Sequence, residues 1–524
     1  MRAGAADAGL AGLGRTPDES GLARSVIESL DKFANREIRA REIDRDASIP
    51  AAVLAGLADL GLFGLSIPEA YGGAGMSLQG VCSVVAALAV HDRSVATTVG
   101  LHLGLGTRGL VAFGSQELKG AVLPGLATGR TLAAFAATEA GAGSDLAAIA
   151  TQVAEVPGSS GRLRVDGGKI YVTNGGLAQV FTIAASSPGL GGARRGHTLL
   201  LLDRRDAGLS TSGEEHKLGL RGSSTTSLQL DGVQIPPARV IGAAGRGMEH
   251  LHHVLAWGRT AMAAGCTGAA RAALAATAVQ VTTRKQFGRP LAAFEVVRGQ
   301  LADLAALAFT MEALVRWTCA AEEDHALLAA RSAAAKVFCS EGDWELCDTA
   351  VQLHGGAGFL EETGLPLLLR DARITRIFEG ANDVLLVAQG AVVVGSAQQR
   401  VPLAGSVLAG AAAGSVIESL VPIAAQADAL DSGLSALAGD LKSRFGLKLL
   451  QQQRLLHRLG RLAVLRDACD AAVLRAAAEG TDQARALAAH WVALAGVRAA
   501  AFTGEPPPLG PIDAAVTALL ARFT

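Results

Sequence analysis

Aromatic residues, paired cysteines and surplus positive charge are all scarce in this sequence of 524 residues. The 47 basic and 48 acidic residues give a net charge of −1. Because no excess of cations is available to neutralise a phosphate backbone, we expect no nucleic-acid partner. The six cysteines form no C-x-x-C pair and no zinc-ligand spacing, so the sequence predicts neither a disulfide framework nor a metal site. We expect them to be buried in a protein of a reducing compartment.

Hydrophobic residues, in contrast, are abundant and make up 50% of the chain. That share excludes a disordered chain and is sufficient for a large core. The length corresponds to roughly three domains, and the strong helix formers alanine and leucine predict a mainly helical protein. The N-terminal residues lack the basic and apolar regions of a secretory signal, so we expect a cytoplasmic location.

The pattern of apolar residues changes along the chain and predicts its domains. Residues 1–20 are predicted to be a flexible tail, and residues 21–130 show helical periodicity. Residues 131–241 contain short apolar runs separated by polar turns, which are typical of β-strands. Helical periodicity returns over 242–395 and again over 396–524. The predicted fold class is therefore mainly α with a central β-domain.

The stretch from Val384 to Ile417 contains Arg400 as its only charged residue. It is long enough to span a bilayer, but it is rich in Ala, Gly, Ser and Gln, so insertion would be weakly driven. A buried helix followed by a linker is the favoured interpretation.

Two motifs suggest chemistry that their context does not support. Gly104–Gly109 matches the G-x-G-x-x-G dinucleotide pattern, but no predicted strand precedes it, so we expect a helix-packing stretch. Glu249–His253 contains three histidines, yet adjacent histidines cannot face one metal on a helix, and we expect a helix with surface histidines. The G-x-S-x-G nucleophile elbow is absent, so serine hydrolysis has no support.

Five further segments carry glycine, hydroxyl, aromatic or charged residues in arrangements that suit a bound cofactor. In the first, Gly141 and Gly143 would let a planar ligand approach the backbone, although an ordinary β-turn is an alternative. In the third, an arginine is followed by a phenylalanine three residues later, which could pair with a phosphate and stack on a ring. The five segments are Phe135–Asp145, Lys169–Asn174, Arg284–Gly288, Gln352–Phe359 and Arg370–Asp383.

The last of these segments ends in a carboxylate of interest. Glu379 follows an apolar residue and precedes Gly380 at the end of a basic helical stretch. That setting permits a partly desolvated carboxylate with a raised pKa, which could act as a base. For Glu379 taken in isolation, a helix-end carboxylate paired with Arg376 is the favoured interpretation.

In their order and spacing these segments resemble the acyl-CoA dehydrogenase family over about residues 21–395. The block after 395 is similar to the extension of the very-long-chain branch. The resemblance implies an N-terminal helical domain, a β-barrel-like middle domain, a C-terminal four-helix bundle and a helical extension. It also implies FAD as cofactor, an acyl-CoA substrate and an electron-transfer flavoprotein as partner. A homodimer is the implied assembly, with a homotetramer as the alternative.

The same resemblance assigns roles to residues of this chain. Glu379 is implied to be the catalytic base, which removes the α-proton of the thioester while hydride leaves the β-carbon. The residues implied to contact FAD are Phe135, Thr138, Ser144, Tyr171, Thr173, Arg284, Phe287, Gln352, Gly355, Gly356, Ala381 and Asp383. Those implied to contact the substrate are Ser144, Arg259, Phe378 and Gly380.

This chain departs from the family pattern at four positions. Ala140 stands in place of proline, Tyr171 in place of tryptophan, Gln280 in place of tyrosine and Ala381 in place of threonine. A longer acyl substrate is a further expectation, because the i,i+4 spacing of Gly100 and Gly104 could open one helix face.

Other functions stay open at this point. An acyl-CoA oxidase, a biosynthetic dehydrogenase acting on a carrier-tethered acyl group and a non-enzymatic assembly or scaffold protein all fit the fold. The resemblance also suggests the hypothesis of peripheral membrane contact through residues 384–417.

Overall fold

The computed structural model describes residues 16–158, 161–192, 196–395 and 415–503. The N-terminal part is helical, and its first helix begins at Pro17, inside the stretch predicted to be a tail. The Thr16 hydroxyl caps this helix by accepting from the backbone N–H of Glu19, which satisfies a donor that the first turn leaves free. Residues 1–15 lie outside the described residues. The helices are α1 (Pro17–Glu37), α2 (Ala40–Asp46), α3 (Ala51–Asp59), α4 (Leu78–His91), α5 (Arg93–Leu101), α6 (Arg108–Phe113) and α7 (Gln116–Ala127).

The stretch that matches the dinucleotide pattern is a helix-packing segment, as expected. A single π-helical turn, His102–Gly106, joins α5 to α6, and no strand precedes it. It packs on the sheet, since the Nδ1 of buried His102 lies 3.0 Å from the backbone nitrogen of Ala133. Turns of this kind interrupt helices where a neighbouring element approaches closely.

The middle of the chain forms one mixed sheet of eight strands in the order β6-β7-β3-β2-β4-β5-β8, with β1 beside β4. Among the described residues β6 and β8 are its ends, so the strands do not close into a barrel. The β1 strand runs parallel to β4, and most other pairs are antiparallel. The strands are β1 (Ala133–Ala136), β2 (Gln152–Glu155), β3 (Leu163–Thr173), β4 (Val180–Ser186), β5 (His197–Asp203), β6 (Leu209–Thr211), β7 (Thr225–Ile235) and β8 (Val240–Ile241).

The helices that follow are built around α8, which spans 37 residues and packs against α4 on one side and α10 on the other. Its buried face includes Trp257, Gly258 and Ala261 at helical spacing. A short hairpin, β9 (Lys285–Gln286) and β10 (Arg289–Pro290), follows its end. The helices are α8 (Gly247–Thr283), α9 (Glu295–Cys319), α10 (His325–His354), α11 (Leu365–Thr375) and α12 (Asn382–Gly395).

The extension adds α13 (Ser415–Phe445), α14 (Gln453–Glu479) and α15 (Asp482–Thr503). The α14 helix crosses α12 so closely that a Cβ on Gly460 would lie 2.0 Å from the carbonyl oxygen of Leu386. The α15 helix inserts Trp491 against Phe338 of α10, with ring centroids 5.1 Å apart. The extension is therefore packed into the main body. The predicted linker residues 396–414 lie outside the described residues, as do residues 504–524.

Two helices, α8 and α15, are long and apolar enough to cross a bilayer by length and composition alone. Half of the apolar window of α8 is buried inside the protein, while that of α15 is 28% buried. The six cysteines are all buried with free thiols, as expected from their spacing.

Candidate active site

A cleft lies between α4, α5 and α8. Its walls are mostly apolar or small side chains, which suits a hydrocarbon ligand more than a polar one. The lining residues are Val85, Ala89, Arg93, Ala96, Thr97, Gly100, Leu101, Gly258, Ala261, Met262 and Gly265. One wall thus follows α8 for two turns, starting from Gly258.

Glu379 lies at the Gly258 end of this cleft. A Cβ placed on Gly258 would lie 3.3 Å from Glu379 Oε2 and 2.3 Å from the Cδ2 of Leu105. Any larger residue at 258 would therefore displace Leu105 and narrow the space in front of the carboxylate. The position requires glycine because two other elements approach the helix backbone there.

The carboxylate of Glu379 is enclosed although its residue as a whole is half-buried. Its Oε2 is fully buried and accepts no hydrogen bond from the described residues. Burial raises the pKa of Glu379 to about 7, against the opposing influence of the Arg259 and Lys336 cations. A carboxylate with a pKa near neutrality has the basicity that proton abstraction near pH 7 requires.

The backbone around Glu379 is strained and firmly held. Glu379 has a φ of 58°, and the following Gly380 has a φ of 100°. A non-glycine residue in this left-handed region costs roughly 1–3 kcal/mol, so surrounding contacts must maintain it. Arg259 Nε donates to the Glu379 carbonyl oxygen at 2.9 Å, and Lys336 Nζ donates to the Gly380 carbonyl oxygen at 2.8 Å.

The backbone N–H of Glu379 is a free hydrogen-bond donor beside the carboxylate. It donates to no acceptor among the described residues, since the hydrogen bonds that close the turn come from Phe378 and Asn382. A free backbone N–H beside a carboxylate can polarise the carbonyl of a ligand placed between them.

The structure contradicts the interpretation of Glu379 as a partner of Arg376. Arg376 instead forms an ion pair of 2.9 Å with Glu341 on α10. That leaves Arg259 and Lys336 as the nearest cations, and both contact carbonyls of the loop and not the carboxylate.

A second group of predicted residues lies at one edge of the sheet. The backbone N–H of Ile170 donates to the carbonyl of Thr138, which joins the loop after β1 to the end of β3. Tyr171 sits at an irregularity of β3 with a φ of 57°, and its side chain is 65% exposed. Phe135 and Thr173 are half-buried nearby in the same strands, and Ser144 is exposed in the loop.

Sequence reasoning missed an ion pair beneath this edge. The buried Lys169 Nζ lies 2.6 Å from Glu139 Oε1 and also donates to the carbonyl of Ala137. Backbone N–H groups of Ala150 and Thr151 complete the contacts of the Glu139 carboxylate. Burial alone would raise the pKa of Glu139, but these hydrogen bonds outweigh it and lower the pKa below its ordinary range.

A third group of predicted residues is exposed on other elements. Phe287 is 92% exposed at the turn of the β9-β10 hairpin, next to exposed Arg284. Gln352 near the end of α10 is exposed, as are Gly355 and Gly356 after it. These residues make no contact with Glu379 within the described chain, so they are available to a ligand or to a second chain.

Residues flanking Glu379 have varied surroundings. Phe378 and Ala381 are half-buried, while Asp383 points outward and pairs with His457 of α14 at 3.0 Å. The extension thus contacts the loop predicted to bind cofactor. Sequence patterns gave no signal for His457, because the two residues are far apart in the chain.

The prediction of surface histidines at 250–253 is wrong for two of the three. His250 and His253 are both buried and lie against Phe113, with ring centroids 4.2 and 5.2 Å away. They share one face of α8, and burial lowers the pKa of His253 to about 3, so it is neutral near pH 7. His252 is exposed, as expected.

Lys336 is another residue of the site that sequence reasoning missed. It is fully buried in α10, and its Nζ contacts both the Gly380 carbonyl and Asn382 Oδ1. The available signal was a single lysine within the apolar run AAAKVF, in a chain with few lysines.

Comparison with known proteins places these features in one family. Models of the N-terminal, middle and C-terminal domains of acyl-CoA dehydrogenase match residues 22–130, 134–233 and 245–392. The chain is 33% identical over 374 residues to the human mitochondrial very long-chain specific acyl-CoA dehydrogenase, over 70% of this chain and 57% of that protein. It therefore spans little more than half the length of such relatives.

Two bacterial proteins match over more of their own length. The probable acyl-CoA dehydrogenase FadE25 of Mycobacterium tuberculosis is 36% identical over 71% of this chain and 94% of its own. A crystal structure of an acyl-CoA dehydrogenase from Bacillus anthracis complexed with FAD has a TM-score of 0.82 and 26% identity. It covers 93% of this chain and 88% of its own, which includes residues beyond the three domains.

Proposed function

The chain belongs to the acyl-CoA dehydrogenase family, and on that premise we propose that it converts an acyl-CoA thioester to a trans-2-enoyl-CoA with FAD as cofactor. The observation that carries the proposal is the Glu379 carboxylate, which is enclosed, lacks a hydrogen-bond partner on Oε2 and faces an apolar cleft. An acyl chain in that cleft would bring its α-carbon towards the carboxylate.

In this reaction Glu379 accepts the α-proton, and the thioester carbonyl gains enolate character as the proton leaves. The free backbone N–H of Glu379 is suited to stabilise that developing negative charge. Arg259 and Lys336 keep the loop in place through carbonyl oxygens, so neither cation forms a direct bond that would neutralise the base. The apolar walls exclude water, which keeps the carboxylate basic.

The sheet edge fits the flavin ring of FAD. Tyr171 offers an exposed aromatic face, while Thr138 and Thr173 offer hydroxyls on the same edge. FAD, when bound, supplies the acceptor for the hydride that leaves the β-carbon. The buried Lys169–Glu139 pair would support this edge from below without contacting the ring.

The exposed residues Arg284, Phe287, Gln352, Gly355 and Gly356 support a homodimer in which they contact the FAD of a neighbouring subunit. Phe287 is 92% exposed, and its ring contacts Phe294 edge-on with centroids 6.0 Å apart, so most of its surface is open to a partner or a ligand. Electron-transfer flavoprotein as the electron acceptor is part of the same proposal and rests on the family alone.

The decisive experiment is anaerobic mixing of the FAD-loaded protein with acyl-CoA substrates from four to eighteen carbons. We expect bleaching of the flavin absorbance and formation of the enoyl-CoA, with no consumption of oxygen when air is admitted slowly. Rapid oxygen consumption without another acceptor would indicate an oxidase. No bleaching with any CoA thioester, but bleaching with acyl groups on a carrier protein, would identify the biosynthetic alternative.

Location stays a prediction. Recovery in the soluble fraction after gentle lysis would support a cytoplasmic protein, and quantitative recovery there would contradict peripheral membrane contact through 384–417. Residues 396–414 of that stretch lie outside the described residues, while 384–395 belong to α12.

A further inference from the structure

Lys336 occupies an unusual position for a lysine. Its side chain is completely buried in the middle of α10, where charged residues are rare unless a partner compensates them. Among the described residues it forms no ion pair with a carboxylate. The buried Lys169 of the β-domain differs in this respect, because it lies 2.6 Å from Glu139.

The partners of Lys336 all belong to the loop that carries the proposed base. Its Nζ donates to the Gly380 carbonyl oxygen at 2.8 Å and to Asn382 Oδ1 at 2.6 Å. Asn382 in turn donates to Ser340 Oγ and to Glu341 Oε1, both on α10. One buried cation thus ties the residue after the base, and the first residue of α12, to α10.

The backbone at Glu379 and Gly380 has an unusual conformation that such hydrogen bonds would stabilise. The left-handed φ of Glu379 and the φ of 100° at Gly380 turn the chain sharply before α12 begins. Arg259 fixes the carbonyl of Glu379 from α8, and Lys336 fixes the next carbonyl from α10. Two consecutive carbonyl oxygens are therefore held by side chains of two different helices, which restrains the peptide that carries the Glu379 side chain.

We propose that Lys336 is a positioning residue for the base, which holds the Glu379–Gly380 peptide in the geometry that aims the carboxylate into the cleft. The inference rests on the proposed function for its chemical consequence, but its structural part does not. A merely structural role would predict lost stability on substitution without a change at Glu379.

The charged and titratable groups near Lys336 determine how removal of its cation changes the pKa of Glu379. Arg259 and Cys266 face it from α8, Glu341 from its own helix and Glu379 from the loop. Burial lowers the pKa of Lys336 to about 8, so it is mostly a cation at pH 7. That cation favours the charged form of Glu379, and without it the pKa of Glu379 moves further up.

Amide hydrogen exchange over residues 378–383 of the full-length FAD-loaded protein measures directly how firmly the Glu379 loop is held. We expect Lys336→Met, which keeps a long side chain but has no donor, to raise exchange in this loop at least tenfold. Lys217→Met is the matched control, because the half-buried Lys217 also donates to a carbonyl, that of Ser223, and to Thr225 Oγ1 at 2.8 Å. It lies outside the Glu379 loop, and we expect unchanged exchange there.

The effect on proton abstraction by Glu379 is measured with 3,3-dimethylbutyryl-CoA. Its β-carbon bears no hydrogen, so only proton transfer at the α-carbon can occur. The rate of α-hydrogen exchange with deuterated solvent, followed by NMR from pH 5.5 to 9, reports the base alone. In Lys336→Met we expect at least tenfold slower exchange at pH 7 and an acid limb displaced to higher pH. Lys217→Met should give the wild-type profile.

The outcomes separate the two proposals. If Lys336→Met is folded and matches the wild type in both the loop exchange and the pH profile, the positioning role is wrong and the proposed function stands. If the wild type shows neither dehydrogenation nor α-hydrogen exchange, the proposed function is wrong, and the amide exchange still decides whether Lys336 holds the loop. Should Lys336→Met not fold, Lys336→Gln, which keeps one donor without charge, is expected to show the same shifts at smaller size.

Discussion

The carboxyl groups of Glu139, at the sheet edge, and Glu379, beside the cleft, have pKa values that are shifted in opposite directions. Glu139 accepts hydrogen bonds from Lys169 and from two backbone N–H groups, and its pKa is lowered. Glu379 has a fully buried oxygen with no donor, and its pKa rises to about 7.

The difference lies in where the nearby cation is directed. At Glu139 a lysine contacts the carboxylate itself, whereas at Glu379 both Arg259 and Lys336 contact backbone carbonyls. Breaking a buried ion pair is destabilising because it leaves an uncompensated charge, while a buried carboxylate without a partner has a raised pKa and is more basic. The same residue type thus supports the structure in one region and reactivity in the other.

The largest effect is expected from Glu379→Gln. The amide keeps the shape of the side chain but cannot take a proton, so dehydrogenation should fall by roughly 10²–10⁴-fold or more. The measurement is single-turnover flavin reduction by acyl-CoA, with FAD content checked on the same sample. Activity within a few-fold of the wild type would remove Glu379 from the mechanism and favour the scaffold hypothesis.

Glu139→Gln should lower the stability of the protein more than its activity, the reverse of Glu379→Gln. It leaves the buried Lys169 without its carboxylate, and breaking such a pair destabilises by roughly 3–5 kcal/mol. Urea denaturation would measure the loss, and the turnover of protein that remains folded should stay near the wild-type value. A stable Glu139→Gln protein without activity would mean that the two carboxylates have been assigned the wrong roles.

The pH dependence of stability gives a third test. The folded pKa of Glu379 lies near 7 and its unfolded value near 4.3, so its favourable contribution is present at low pH and disappears as the pH rises through 7. Glu379→Gln should therefore be more stable than the wild type at pH 8, by up to about 3 kcal/mol, and similar to it near pH 4. Glu139 stabilises above its unfolded pKa, and its contribution is lost as the pH falls through its lowered folded value. Thermal unfolding of both variants and the wild type from pH 2 to 8 should show the two effects in different ranges and with opposite signs. The Glu379 contribution changes between about pH 4 and 7, and the Glu139 contribution changes below about pH 4.3.

The cleft lies beside Glu379, and Gly265→Leu tests its use. A Cβ at Gly265 would lie 3.9 Å from Val85, so a leucine there would extend into the far part of the cleft. We expect kcat/KM for long acyl chains to fall about 10–200-fold, while butyryl-CoA is little affected. Gly299→Leu, at an exposed glycine of α9 with open space around it, is the matched control. An equal loss for all chain lengths would mean that the acyl chain does not reach Gly265.

The smallest effect is expected from His457→Gln, which removes the imidazole that contacts Asp383 from the extension. The Asp383 side chain is largely exposed, so the change in stability should be below about 1 kcal/mol. Comparison of FAD affinity in the variant and the wild type would show whether Asp383 needs this contact. A large loss of FAD would give the extension a direct part in cofactor binding.

The order of helical and β segments could be predicted from sequence because periodicity is a local property. The short apolar runs between 131 and 241 became the strands of the sheet, and helical periodicity on either side became helices. The start of α1 was missed because residues 1–20 have little hydrophobic pattern, although Thr16-Pro17 is a good helix start. Buried His250 and His253 were missed because their burial depends on Phe113, a residue distant in the chain.

Glu379 could be singled out as a candidate base because its neighbours and the order of the five segments are properties of the sequence itself. The charge partner of Glu379 could not be predicted from the sequence. Arg376 is only three residues away, but it forms its ion pair with Glu341 on another helix. Lys336, Leu105 and His457 reach the site from segments that are far away in sequence, so no local pattern connects them to it.

The sequence alone therefore determined the family resemblance, the mainly helical class with a central β-domain and the identity of the candidate base, since each depends on residue type and spacing along the chain. Only the tertiary structure decided which glutamate is paired and which is not. Hydrogen bonds and desolvation act over a few ångströms in space, and they depend on which distant segments the fold brings to each carboxylate.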